Sequence, residues 1–330
     1  MKPTDPKIVV LGGGTGSFVV LSALKKLTKH LTAIVNMVDD GGSTGTLRDE
    51  LGVLPPGDVR QCLVALSRSP KLRDLFTYRL EEGSMRGHAF GNLFLATLEN
   101  MTGSFKSALA TASEVLNIIG DVQPATFTPV TLELKDGDTT IAGQNNIENY
   151  TLKQRHPQLS LSPTPTPNPA ALTAIKHADL IVIAPGNLYC SLAPTLLVPQ
   201  IGPALAAAKA PVVYIANLVN KPKHAKGFSV KMYVEELERC ADTPFINTCL
   251  YNTAPLSPDL LASYAQDGEL PVKIDIARHK FSNTRFLGLP LLAKEPHGVP
   301  SKSDPLARNR TLIRHSPTLL AKAILSLLPV

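Results

Sequence analysis

Two glycine-rich turns carry the residues of this chain best suited to chemistry. The first, Gly12-Gly13-Gly14-Thr15-Gly16-Ser17, ends the apolar run 7–11 (KIVVL). The second, Asp39-Asp40-Gly41-Gly42-Ser43-Thr44-Gly45, ends the run 32–38 (TAIVNMV). Glycine is required where a backbone must turn tightly and approach a phosphate closely. The N–H groups that open the following helix then point at the anion. Ser17 stands where a strict G-x-G-x-x-G would close on glycine. Asp39 and Asp40 fall where dinucleotide folds place the acid that binds a ribose hydroxyl, and the same pair suits Mg²⁺ held through water. Gly41, Gly42 and Ser43 add a second polar turn that an ordinary dehydrogenase does not need.

The elements that must position these turns are legible around them. Val19, Val20, Ala23, Leu24 and Leu27 follow a helical period between the two turns. Strand, turn, helix, strand, turn is the start of a doubly wound sheet. Pro55-Pro56-Gly57-Asp58 presets a further turn, with Asp58 placed to cap a helix beginning near Val59. Arg60, one turn into that helix, is placed to reach a phosphate or to lock Asp39 or Asp40. Residues 71–120 read as helices interrupted by Gly87-His88 and Gly91-Asn92, where His88 and Asn92 are either ligand contacts or caps. Residues 130–147 alternate and turn, predicting a hairpin at a sheet edge, and 157–170 read as a Pro/Ser/Thr-rich loop. The α/β rhythm then resumes. A helix over 170–178 leads into a buried parallel strand over 179–184, followed by the turn Pro185-Gly186-Asn187-Leu188-Tyr189. A helix runs through Leu205, and the strand 211–216 ends in Asn217. Both halves thus deliver loops to one sheet edge, where a crevice forms at a topological switch point. Residues 230–240 read as helix, 245–251 as strand, and Tyr264 lies on a helix.

Composition narrows the function. The chain has 330 residues, 44% hydrophobic, enough for one large core or two small ones. No apolar run approaches the roughly 20 residues of a membrane span, and residues 1–7 lack a signal-peptide core, so a soluble cytoplasmic protein is expected. Cys62, Cys190, Cys240 and Cys249 are widely spaced, as packing thiols rather than a zinc cluster or disulfide framework. The formal charge of +6, thickened at Lys294, Lys302, Arg308, Arg310 and Arg314, suits an anionic small ligand. Nucleic acid is disfavoured, because only 5% of residues are aromatic and no binding motif is present.

Residues 39–66 (DDGGSTGTLRDELGVLPPGDVRQCLVAL), the first turn 12–17, 87–93 (GHAFGNL) and 185–189 (PGNLY) together resemble the gluconeogenesis-factor family. That family is related to 2-phospho-L-lactate transferase, and the resemblance runs in order along essentially the whole chain. It implies a 2-phospho-L-lactate-transferase-like α/β fold: a Rossmann-like, three-layer, mostly parallel sheet with an elaborated C-terminal part, read as a single domain over 1–330. It further implies a cytoplasmic protein that binds UDP-activated sugars and supports cell shape and wall synthesis during gluconeogenic growth. The transferase branch implies a divalent metal and a phospholactyl transfer. Tyr264 and Arg314 match positions tied to the UDP-sugar, where Tyr can stack on uracil and Arg can fork a diphosphate. The chain departs from the family pattern at Asn187, at the basic turn Lys221-Pro222-Lys223, and at Arg314-His315-Ser316-Pro317.

Three functions fit these residues. In the first, a sugar-nucleotide-binding regulator, Gly12–Ser17 cradle one phosphate and Asp39 and Asp40 bind ribose or Mg²⁺. Gly186, Asn187 and Tyr189 close the other side, with Asn217, Tyr264 and Arg314 completing the site. No cofactor is required; a UDP-sugar and Mg²⁺ are the candidate ligands, and a second copy and the cell-wall synthesis machinery are the candidate partners. The second is a metal-dependent phospholactyl-type transferase. The third, an NAD-dependent oxidoreductase, lacks an evident acid–base dyad in the second half.

Overall fold

The computed structural model describes residues 5–276, 283–293 and 313–328. Its strands are β1 (Ile8–Leu11), β2 (Leu31–Val35), β3 (Asp121–Pro124), β4 (Thr131–Asp136), β5 (Thr139–Ala142), β6 (Gln158–Ser162), β7 (Leu180–Ile183), β8 (Val212–Ile215), β9 (Val219–Asn220), β10 (Thr248–Asn252), β11 (Leu270–Pro271) and β12 (Arg285–Leu289). Seven of them form one sheet in the order β12-β10-β8-β7-β1-β2-β3. Every pairing in it is parallel. Parallel strands are covered on both faces, which is why IVVL, LIVI and VVYI are buried at every position.

Alternation sorts each strand between two cores. Val9 and Leu11 join Ile181, Ile183 and Tyr214 on one face. Ile8 and Val10 join Leu180, Val182 and Val213 on the other. The second face is covered by α1 (Gly14–Leu24), α3 (Gly57–Leu66), α5 (Phe90–Thr102) and α6 (Phe105–Val115), and by the last helix, Pro317–Ser326. The shorter α2 (Gly42–Leu51) packs on α5 through Leu47 and Ala96, and α4 (Pro70–Thr77) adds Phe76 to the second core. The first face is covered by α8 (Pro169–His177) and by the helices Ile201–Ala206 and Val230–Ala241. This is the three-layer α/β architecture expected from the sequence.

From β1 the chain winds outward through β2 to β3, then returns to β7 on the opposite side of β1. The switch point therefore lies between β1 and β7, whose ends are in register at Leu11 and Ile183.

The excursion over 130–147 is a hairpin, β4 with β5, but it belongs to a separate antiparallel sheet in the order β5-β4-β6. Its third strand, β6, corrects the reading of 157–170 as a loop. Leu159 and Leu161 alternate and pair opposite Leu134 and Leu132, a period that the surrounding Pro and Ser obscure. Between β5 and β6 lies the short helix α7 (Gln144–Asn149), which meets the second glycine turn. Among the described residues no helix is long and apolar enough to cross a membrane, and Cys62, Cys190 and Cys249 are buried. Lys294, Lys302, Arg308 and Arg310 lie outside the described residues.

Candidate functional site

The first glycine turn leaves β1 directly at the switch point. Gly12 N–H donates to Ile34 O at 3.1 Å and Ala184 N–H to Leu11 O at 3.0 Å, so the turns after β1, β2 and β7 stay laced together. Gly12 and Gly13 are buried, while Gly14, Thr15 and Gly16 form the open rim. Two glycines are there for close approach. A Cβ on Gly16 would stand 1.8 Å from the Pro185 carbonyl oxygen, so α1 can press on the turn after β7 only without a side chain. A Cβ on Gly13 would stand 2.0 Å from Asp58 Oδ2.

Asp58 is the residue that sequence reasoning missed. Its place after Pro-Pro-Gly suggests the cap of its own helix, but α3 begins at Gly57 and its N-cap is Pro56. The carboxylate instead points at the glycine turn. Oδ2 accepts from Asn36 Nδ2 at 2.8 Å, and the Gly14 N–H also donates to the carboxylate. Asp58 thus serves as an internal anion at the start of α1, using one of the N–H groups that such a turn would otherwise offer a ligand. Burial, with the neighbouring Asp39 charge, pushes its carboxyl up to about 7, against the hydrogen bonds from Asn36 and Gly14 and the Arg60 charge.

Asp39 lies alongside. A Cβ on Gly57 would meet Asp39 Oδ2 at 2.3 Å and Thr44 Oγ1 at 2.5 Å. Asp39 accepts from the Gly41 N–H at 3.2 Å, and burial raises its carboxyl despite that bond and one from Thr44. Its charge is in turn one of the causes that raise the Asp58 carboxyl. β2 ends at Val35, so both acids of the second turn stand beyond the strand rather than on its last residue.

Asp40, expected at a ribose or a metal, also has a structural task. Its two oxygens accept from the Gln144 N–H at 2.9 Å and the Asn145 N–H at 2.7 Å, capping α7 across more than a hundred residues of chain. The described residues contain no group of three or more His, Cys, Asp or Glu able to hold a metal. The pair that converges is Asp39 with Asp58. Two carboxylates suit a Mg²⁺ that takes its remaining oxygens from a phosphate, and do not make an all-protein cage.

A hydrogen-bond chain flanks this pair. Arg60, which only donates, gives Nε to Asn92 Oδ1 at 2.7 Å and Nη1 to Phe76 O at 3.3 Å. Asn92 Nδ2 donates to Ser43 Oγ at 3.2 Å, and Ser43 Oγ lies 3.0 Å from His88 Nδ1. The motif over 87–93 is therefore packed against the second glycine turn, with Gly42 and Ser43 opening α2. Arg60 and Asn92 are buried supports of Ser43.

On the far side, Asn217 joins the turns after β7 and β8. Its Oδ1 accepts from the Gly186 N–H at 3.2 Å and its Nδ2 donates to the Gly186 carbonyl at 2.8 Å. Asn187 caps the short π turn Leu188–Leu192, accepting from the Cys190 N–H at 3.4 Å. That turn swings Tyr189 inward, which overturns its expected place at the ligand. Tyr189 is fully buried, and its hydroxyl donates to Glu236 Oε1 at 2.7 Å. Burial alone would raise the Glu236 carboxyl, but hydrogen bonds from Arg239, His156 and Tyr189 outweigh it and hold it low. Ser17 is likewise buried, with its hydroxyl turned to Gly13 O at 3.4 Å, so it braces the loop from beneath.

Tyr264 reaches the residue next to Arg314. Tyr264 is buried in a small cluster with Val219 and Ile313, and its hydroxyl accepts from the Ile313 N–H at 3.1 Å. This holds the segment that presents Arg314. The adjoining His315 is hydrogen-bonded to the backbone of Ala216, at the end of β8, and burial pushes it down to about 4. Arg314 thus carries the charge of this corner at neutral pH.

Comparisons with known proteins agree with this fold. Residues 8–292 match the family model described as 2-phospho-L-lactate transferase CofD. The chain is 40% identical to the gluconeogenesis factor of Bacillus subtilis over 83% of this chain and 87% of that protein. It is 36% identical to that of Listeria monocytogenes over 99% and 97%. The crystal structure of a UPF0052 family protein from Bacillus halodurans superposes with a TM-score of 0.87 at 34% identity, covering 98% of this chain and all of that one. Family model, full-length relatives and fold coincide: the chain belongs to the 2-phospho-L-lactate transferase CofD family.

Proposed function

We propose that this protein binds a sugar nucleotide of the UDP-N-acetylglucosamine or UDP-glucose type and acts as a regulator rather than as a dedicated catalyst. In this reading, which draws on the relatives named gluconeogenesis factor, it works in the cytoplasm during gluconeogenic growth, supporting cell shape and wall synthesis. The observation that carries the binding reading is the convergence at the switch point. The open rim Gly14-Thr15-Gly16 faces the Gly186 turn that Asn217 holds from β8, and open α/β sheets take ligands in that crevice. The paired acids Asp39 and Asp58 beneath the rim repel a bare diphosphate. Mg²⁺, held by these two side chains and by phosphate oxygens, would supply the charge that makes the floor attractive. Arg314 is assigned to the diphosphate.

Calorimetric titration of UDP-N-acetylglucosamine tests this, with and without Mg²⁺ and beside Arg314→Ala. Saturable binding, strengthened by Mg²⁺ and lost in the variant, is expected. An absence of heat and of thermal stabilisation at about millimolar ligand overturns the reading, since it corresponds to less than roughly 4 kcal/mol of binding.

The Asp39–Asp58 pair also favours a second reading, transfer of a phospho-containing group, as the family's name describes. With Asp58 near neutrality, the pair can hold or release a proton beside a phosphate. A Mg²⁺-dependent phosphorus-containing product, lost in Asp39→Asn, would establish it.

A further inference from the structure

A cleft of about 210 Å³ opens beyond the carboxyl ends of β8 and β10. Leu218, Val230, Leu261 and Val272 give it apolar walls, Tyr251 contributes a ring, and Asn217 stands in its lining. Its size is decisive for what it can hold. Pockets that enclose a whole small-molecule ligand run from about 300 Å³ upward, so this one takes a single ring system with the rest of the ligand outside. Asn217 connects it to the crevice already described, because the amide that lines the cleft is the one spent on both backbone groups of Gly186.

Tyr251 is seated for this purpose by the neighbouring strand. It pairs in register with Gly288 of β12. A Cβ on Gly288 would stand 2.6 Å from Tyr251 Cζ and 2.7 Å from its hydroxyl oxygen, so the ring lies across β12 only because that residue has no side chain. The adjoining wall is braced as well. Asn252 accepts from the Ala254 N–H at 3.1 Å and the Leu291 N–H at 2.9 Å, and donates to the Ala254 carbonyl at 2.8 Å. A half-buried aromatic ring in the lining of a one-ring cleft, with apolar walls and the amides of Asn217 and Asn252 beside it, is suited to stacking on a planar base. Strand spacing sets the reach: β10 lies two strands from β7 and three from β1, or about 10 and about 14 Å. An extended nucleotide spans that interval.

We propose that this cleft takes the nucleobase of the bound nucleotide, with Tyr251 as the ring on which the base rests. Tyr264 is then a positioning residue, acting through its hydrogen bond to Ile313 on the Arg314 segment. The inference rests on the sugar-nucleotide reading and adds where the base lies.

The test is titration of the full chain with UDP-N-acetylglucosamine and, separately, with inorganic pyrophosphate, both with Mg²⁺. Tyr251→Leu is expected to weaken the sugar nucleotide roughly tenfold or more while leaving pyrophosphate within about twofold. Tyr251→Phe keeps the ring and is expected to bind within about twofold of the native protein. Sugar-nucleotide binding unchanged in Tyr251→Leu overturns the base site and leaves the sugar-nucleotide reading standing. Equal loss of both ligands in Tyr251→Leu also overturns it, since the ring would then be supporting the whole site. A native protein that binds neither ligand overturns both proposals.

Discussion

Replacing Asp58 with Asn isolates the energetic cost of the acid pair. Asp58 has a carboxyl raised from 3.8 to about 7 by burial and by the Asp39 charge. Below 3.8 both folded and unfolded chains hold the proton, and the group costs nothing. Between 3.8 and about 7 the folded chain holds more protons than the unfolded one, so stability falls as pH rises through that window. At about 1.36 kcal/mol per pH unit, the interval amounts to about 4 kcal/mol at most, and less to the extent that solvent reaches a carboxylate that is only partly buried. The amide of Asp58→Asn never ionises. It does set an N–H₂ group against the Asn36 or Gly14 donor, at a pH-independent cost of about 1–3 kcal/mol. The diagnostic is therefore the slope and not the offset. Urea unfolding of both proteins from about pH 4 to about pH 8 should show the variant gaining on the native protein by up to about 4 kcal/mol as pH rises. A difference that stays flat, or falls, refutes the argument that Asp58 is held in a charge-hostile position.

Two further substitutions separate scaffolding from ligand contact. Tyr189→Phe removes one donor to the buried Glu236 and should cost about 1.5–3 kcal/mol of stability while leaving nucleotide affinity unchanged by calorimetry. Reduced affinity at unchanged stability would restore Tyr189 to the site. Gly16→Ala places a Cβ 1.8 Å from the backbone oxygen of Pro185, which cannot swing aside. It should lower stability by about 1–3 kcal/mol or more and weaken nucleotide binding together, measured by thermal unfolding and titration. A silent Gly16→Ala would contradict the close packing of α1 on that turn.

Much of this architecture was legible in the residues. Apolar runs such as IVVL and VVYI are long enough for strands and too uniformly buried for an edge, so the parallel sheet follows from them. The glycine turn at 12–17 and the turn at 185–187 announce the edge where they meet. What escaped was the direction of side chains over long stretches of chain. Asp58 follows Pro-Pro-Gly and looks like a local cap, yet it serves the start of α1, more than forty residues earlier. Asp40 looks like a ligand acid, yet it caps α7, more than a hundred residues later. Neither partner leaves a local pattern. Tyr189 failed for a different reason. Counting from Gly186 assumes an ordinary turn, and the π turn at Leu188–Leu192 rotates the ring into the core.

An anionic nucleotide is proposed to lie across the switch point between β1 and β7. A crystal structure of the protein with UDP-N-acetylglucosamine and Mg²⁺ addresses it directly. The diphosphate is predicted between the Gly14-Thr15-Gly16 rim and the Gly186 turn, with Asp39 and Asp58 at the metal. A nucleotide bound away from these turns, or a diphosphate seated elsewhere on the sheet edge, would contradict it.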